Sequence, residues 1–171
     1  MSKTLELVGG RINRARLFFE NIGDMYIALG KTSSWSDEEN PPEPTGMETD
    51  MVEVLGFKRV DQKFFVVEDL VEGTLSFRDK KWRIVEPGDI FSEGSRWVYV
   101  SASIVGSELP LTDYRQVGLF SGLIPNVGFE GMDVLTPGQV NSRGVLEILG
   151  NRKRTTRQDD QTERVILIME F

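Results

Sequence analysis

Gly30, Lys31 and Thr32 reproduce the end of a phosphate-binding loop, in which backbone N–H groups and a lysine cradle a nucleotide. That chemistry needs a glycine five positions before Gly30 and a helix opening directly after the threonine. This chain has Met25 at the first place. Ser33, Ser34 and Trp35 lead instead into Asp37, Glu38 and Glu39, which would repel phosphates, and then into Pro41, Pro42 and Pro44. Nucleotide binding is not expected. Two readings stay open from chemistry alone. The stretch is a solvated acidic loop, or it is a semi-rigid docking surface in which Trp35 and the prolines have little entropy left to lose on binding.

Two further clusters carry reactive residue types. Asp37/Glu38, Glu68/Asp69 and Asp159/Asp160 are carboxylate pairs, and a hydrolase can work with two acids when an apolar pocket keeps one of them protonated. Nothing in the neighbouring sequence marks such a pocket, and among 27 acids such pairs arise by chance. The run "RKRTTR" (Arg152–Arg157) could grip phosphates, but Asp159, Asp160 and Glu163 offset it, so it reads as a hairpin or connecting loop. The chain has neither cysteine nor histidine. Disulfides, thiolate nucleophiles, His-dependent triads and nearly all zinc, copper and haem ligation are thereby excluded. No catalytic residue, cofactor or metal ligand is assigned.

The elements that must hold these residues follow from periodicity. In "RINRARLFFENI" (Arg11–Ile22), Ile12, Ala15, Phe18, Phe19 and Ile22 share one face of a helix, and Gly23 is a natural stop. "MYIALGK" (Met25–Lys31) reads as a buried strand, and Thr49–Phe57 as a short capped helix. The remainder is β: Gln62–Leu70, Gly73–Asp79, Lys80–Glu86, Ser95–Val105, Asp113–Leu123 and a final pair, Gly138–Gly150 and Thr162–Phe171. The terminal "RVILIMEF" is apolar on both faces, with Val165, Leu167, Met169 and Phe171 on one and Ile166 and Ile168 on the other. Such a strand is expected to be central to its sheet, or sealed by a partner, because an open edge of this kind invites aggregation. The predicted fold is mainly β and sandwich-like, one domain over residues 1–171. It has an N-terminal helical segment (1–23) and a β-rich core (24–171) that carries the loop 31–46.

With 39% hydrophobic residues the chain can bury a core, and a net charge of −7 argues against a general nucleic-acid binder. No apolar run approaches the ~18 residues of a membrane span, and "MSKTLELVGG" lacks a signal-peptide core. A soluble protein made in a cytoplasm is expected, without membrane or direct nucleic-acid contact.

Three segments, in order, resemble the small dimeric wedge protein family (gene product eight) of T-even contractile-tail baseplates. They are "INRARLFFENIGDMYIALGKTSSWSDEENPPEPTG", "DYRQVGLFSGLIPN" and "DDQTERVILIMEF". The matching motif residues are Gly30, Lys31, Trp35, Pro41 and Pro42 in the first, Tyr114, Arg115 and Gln116 in the second, and Gln161, Thr162, Glu163 and Phe171 in the third. The chain lacks that family's long insertion between the middle strands. The resemblance implies a non-enzymatic virion protein of the tail baseplate, made in the host cytoplasm. It also implies contact with other wedge subunits, a homodimer, and a part in the rearrangement that triggers sheath contraction. Partner-interface candidates are Lys31, Trp35, Pro41, Pro42 and Pro44 in the loop and Ile166, Ile168 and Phe171 in the last strand. A neck or tail-completion protein and an acid-dependent glycan hydrolase of the tail are the alternatives.

Overall fold

A computed structural model describes residues 4–21 and 23–171. One helix, α1 (Val8–Asn21), precedes twelve strands: β1 (Met25–Gly30), β2 (Gly56–Arg59), β3 (Gln62–Glu68), β4 (Leu75–Phe77), β5 (Lys80–Val85), β6 (Trp97–Val105), β7 (Asp113–Ser121), β8 (Ile124–Pro125), β9 (Val134–Leu135), β10 (Val140–Ser142), β11 (Val145–Thr156) and β12 (Thr162–Glu170). The described strands form two five-stranded sheets, ordered β11-β7-β1-β2-β9 and β12-β6-β3-β5-β4, and a small β10-β8 pair. The chain is therefore mainly β with a minor helical part. Its residues divide into two compact units. The first takes Met1–Ile22, Gln62–Ser101 and Ile166–Phe171, and the second Gly23–Asp61 and Ala102–Val165.

In the first unit, α1 lays the expected face on the sheet: Ile12, Ala15 and Phe18 are buried. The predicted Ile22 position lies outside the described residues. Phe19 stacks on Phe65 of β3 with ring centroids 4.1 Å apart, and Phe18 meets Phe171 at 5.0 Å. Lys63 Nζ donates to the Phe19 carbonyl at 2.8 Å, near the helix C-terminus where carbonyls lack intrahelical partners. The helix begins at Val8, three residues before the apolar pattern starts, even though Gly9 and Gly10 are poor helix formers. The opposite sheet face carries buried Val66, Trp82 and Tyr99, with half-buried Phe64, Trp97, Ile166 and Ile168 packed around them.

In the second unit β1 runs between β7 and β2, and all six of its residues are buried, as its unbroken apolar run demands. Tyr26, Ala28, Phe57, Phe120 and Leu135 form the core on one side, joined by Met51 from the following loop. Phe57 and Phe120 meet edge to face at 5.6 Å. Gly118 makes room for Met51, because a Cβ there would lie 2.3 Å from the Met51 sulfur.

Three expectations are corrected. Residues 49–57 contain no helix. Lys31 N–H donates to the Val52 carbonyl and Leu55 N–H to the Leu29 carbonyl, Glu53 takes a left-handed φ of 48°, and β2 begins at Gly56. Backbone pairing with β1 overrides the local helical preference. The polar run from Asn151 is no connecting loop: residues 151–156 continue β11, which pairs with β7 rather than with β12. A register shift between Asn151 and Thr155 absorbs the extra residues, and β11 is an edge strand, where polar side chains are tolerated. Finally, of the two alternatives expected for β12, central to its sheet or sealed by a partner, the first is corrected. The strand is the edge of its sheet beside β6, and it still buries Val165, Leu167 and Met169.

Candidate functional site

The phosphate-loop look-alike holds an anion of its own chain. Thr32 Oγ1 donates to Glu53 Oε1 at 3.2 Å, while the Ser33 N–H and Oγ reach Oε2 at 3.2 and 2.7 Å. Lys31 Nζ lies 3.7 Å from the same carboxylate. The bonds from Ser33, above all its hydroxyl, hold the Glu53 carboxyl below the ordinary glutamate range. A left-handed φ of 59° at Lys31 turns the chain out of β1 so that these donors face Glu53.

From there the loop lies back on β7 and β11. The Trp35 indole N–H donates to the Arg152 carbonyl at 3.0 Å, and Lys31 Nζ sits 5.1 Å from the Trp35 ring centroid. Arg115, on β7 and only 3% exposed, is the clamp. Its Nε reaches both Glu38 oxygens at 2.8 and 3.0 Å, and its Nη1 donates to the Thr32 carbonyl at 2.6 Å. The Arg115 guanidinium holds the Glu38 carboxyl below its usual range. Asp37 accepts from the Glu39 and Asn40 backbone N–H groups, closing a turn in the acidic run. Lys153 pairs with Glu39, and Asn151 Nδ2 donates to the Pro42 carbonyl at 2.8 Å. Pro41 and Pro44 are half-buried and Pro42 is exposed.

The structure thus brings together Lys31, Trp35, the three prolines and Arg115. Gln116 joins them through Asn151, to which its Nε2 donates at 2.8 Å. Tyr114 is buried, and burial pushes its hydroxyl above the ordinary tyrosine range with Glu163 adding to the effect. Glu163 lies 3.5 Å from buried Arg157, whereas Gln161 and Thr162 are exposed. Ile166 and Ile168 are half-buried in the aromatic cluster of the first unit. Phe171 belongs to the opposite sheet face, against Phe18.

Sequence reasoning did not assign Arg115 its partner. The available signal was an arginine two residues before the apolar run "VGLF" of a strand, a position that a buried charge holds only when it is paired. The carboxylate pairs Asp37/Glu38 and Glu68/Asp69 are engaged by cations or backbone N–H groups. Glu68 pairs with Lys80, and Asp69 with Arg83 and two backbone N–H groups. Asp37, Glu38, Glu48, Glu53, Asp69 and Glu170 are all displaced downward, the opposite of what a protonated general acid requires.

A family model described as "Baseplate wedge 3 tail fiber network component" matches residues 4–171. The chain is also similar to Virion protein 3 of Enterococcus phage phiEF24C, with 33% identity over 153 residues, covering 85% of this chain and 84% of that protein.

Proposed function

Because the chain belongs to the family of baseplate wedge 3 tail fiber network components, a structural component of the virion, we propose that it works mechanically and without catalysis. It bridges larger wedge subunits of a contractile-tail baseplate, holds them in one arrangement before attachment and permits another as the sheath contracts. A subunit can do this only through contacts that differ between the two assembly states.

The observation that carries this reading is the clamped loop 31–46. Arg115, Trp35 and Asn151 hold it in one shape, with Pro42 and Glu43 on its exposed side. A loop ordered before binding loses little entropy when a neighbour docks on it. Lys31, Trp35, Pro41, Pro42 and Pro44 make up this surface, Ile166 and Ile168 belong to a second one on one face of β12, and Phe171 belongs to the opposite face.

The test is complementation of a phage lacking this protein with Trp35→Ala and Arg115→Ala variants whose fold is checked by circular dichroism. Folded variants that fail to enter the particle, or that enter but leave the sheath unable to contract, support the reading. Normal particles with normal contraction from both variants overturn it.

A further inference from the structure

The first unit carries a groove of ≈480 Å³ on the sheet face opposite α1. Four apolar side chains shape it: Phe77 of β4, Trp82 of β5, Trp97 of β6 and Ile168 of β12. Trp82 is buried, and its indole Nε1–H has no acceptor. Buried donors are nearly always bonded, so this one calls for an oxygen that the described residues do not supply. Trp82 and Trp97 stand edge to face at 5.8 Å.

Charge at the rim is selective. Lys80 pairs with Glu68 at 2.6 Å, and Arg96 with Glu170 at 3.0 Å while also lying 4.2 Å from the Trp97 ring centroid. Glu68 neutralises Lys80, whereas Arg96 shares Glu170 with Arg11, which lies 2.9 Å from the same carboxylate oxygen. Arg78 is left over. It sits in the two-residue turn between β4 and β5, with φ of 49° and 61° at Arg78 and Asp79, exposed and 5.2 Å from the Phe77 ring centroid. It meets no carboxylate among the described residues.

An occupant must therefore offer apolar rings, a free carbonyl and one negative charge. An extended proline segment offers the first two together, because polyproline backbone keeps all its carbonyls unbonded and aromatic-lined grooves recognise it. This chain contains a proline-rich segment, with its Pro42 carbonyl already held by Asn151 Nδ2. Pro42, Glu43 and Pro44 lie on the clamped loop of the second unit, and Glu43 is exposed with no cation partner among the described residues. Its neighbours Glu38 and Glu39 are already taken by Arg115 and Lys153. The free carboxylate and the free guanidinium are complementary.

We propose that the groove binds the Pro42–Glu43–Pro44 segment of a second copy of this chain. Glu43 pairs with Arg78, the proline rings pack on Phe77 and Trp97, and a loop carbonyl accepts from Trp82 Nε1–H. Loop and groove are different surfaces, so the contact is head-to-tail and joins copies into a ring or a row. So small an interface is weak between free chains and gains strength when copies are held side by side. The proposal goes beyond the wedge reading and is tested on the isolated protein, so either can fail without the other.

The experiment uses the full chain with ¹⁵N-labelled tryptophan and a synthetic peptide, Asn-Pro-Pro-Glu-Pro-Thr-Gly, copied from residues 40–46. The Trp82 indole resonance is expected to move downfield as it gains an acceptor, together with Trp97. A Gln at the Glu43 position of the peptide, or Arg78→Glu in the protein, should weaken binding about tenfold. Sedimentation of the chain at millimolar concentration should then show self-association that is lost in Glu43→Arg and in Arg78→Glu. Mixing those two variants should restore it, because one supplies an intact loop and the other an intact groove. Absence of any Trp82 or Trp97 response overturns the groove. A peptide response without restored association in the mixture overturns the second copy as its occupant, as does a contact that is independent of concentration.

Discussion

Arg115 and Glu38, 77 positions apart in the chain, form a forked pair. The arginine Nε touches both carboxylate oxygens, and Nη2 closes on one of them at 2.7 Å. The same guanidinium holds the Thr32 carbonyl, so a single side chain ties both ends of the turn that carries Trp35. Arg115→Lys keeps the charge but loses the planar fork. Both Arg115→Lys and Arg115→Ala are expected to make loop 31–46 a preferred site of limited proteolysis, the alanine variant more so. The β7 segment itself should stay protected. Resistance equal to that of the unaltered protein would show that Trp35 and Asn151 suffice to hold the loop.

The loop is also expected to loosen in acid. Glu38 and Glu53 both have carboxyls held below the ordinary glutamate range, by Arg115 and by Ser33 respectively. A depressed folded pKa means stabilisation that is present above the unfolded value and lost as pH falls through the lower, folded value. Amide exchange in residues 31–46, corrected for intrinsic rates, should therefore accelerate below about pH 4 while remaining flat from pH 5 to 8. Acceleration between pH 5 and 8 would point to groups other than these carboxylates.

The unaltered protein is expected to bind no nucleotide, because Glu53 occupies the donors that a phosphate would need. Calorimetric titration with Mg-ATP should give no heat of binding at micromolar concentrations. Glu53→Ala should loosen the loop without creating an ATP site, since the chain still lacks the glycine at Met25 and the helix after Thr32. Micromolar binding by either protein would contradict this account.

In β12 the two faces are expected to respond differently. Leu167 is buried, so Leu167→Ala should lower unfolding free energy by about 2–5 kcal/mol in urea titration. Ile168, half-buried beside Trp97, should lose clearly less on the same substitution. Deleting residues 164–171 should abolish soluble folding, because three buried core side chains leave with them. Equal losses at Leu167 and Ile168 would mean that the groove face is as enclosed as the helix face.

Much of the fold was legible because local periodicity reports which face of a segment is covered. The spacing of Ile12, Ala15 and Phe18 announced the helix, the apolar run from Met25 announced a strand buried on both faces, and the absence of histidine and cysteine removed whole classes of chemistry. Of the residues carried by the family resemblance, Trp35 and Arg115 take part in the clamp.

What only the tertiary structure decided are relationships that no local pattern encodes. Whether "GKTS" holds a phosphate or a carboxylate depended on Glu53 arriving from beyond the proline loop. Whether "NRKRTT" is loop or strand depended on β7 offering it an edge and on a register shift to absorb its surplus residues. The apolar β12 came to rest at a sheet edge, with Val165, Leu167 and Met169 buried on one face and Ile166 and Ile168 half-buried among aromatic side chains on the other. Side-chain alternation is fixed by the geometry of a single strand. Pairing between segments is fixed by chain topology, and the partners of Arg115, Glu53 and Trp35 belong to that second kind.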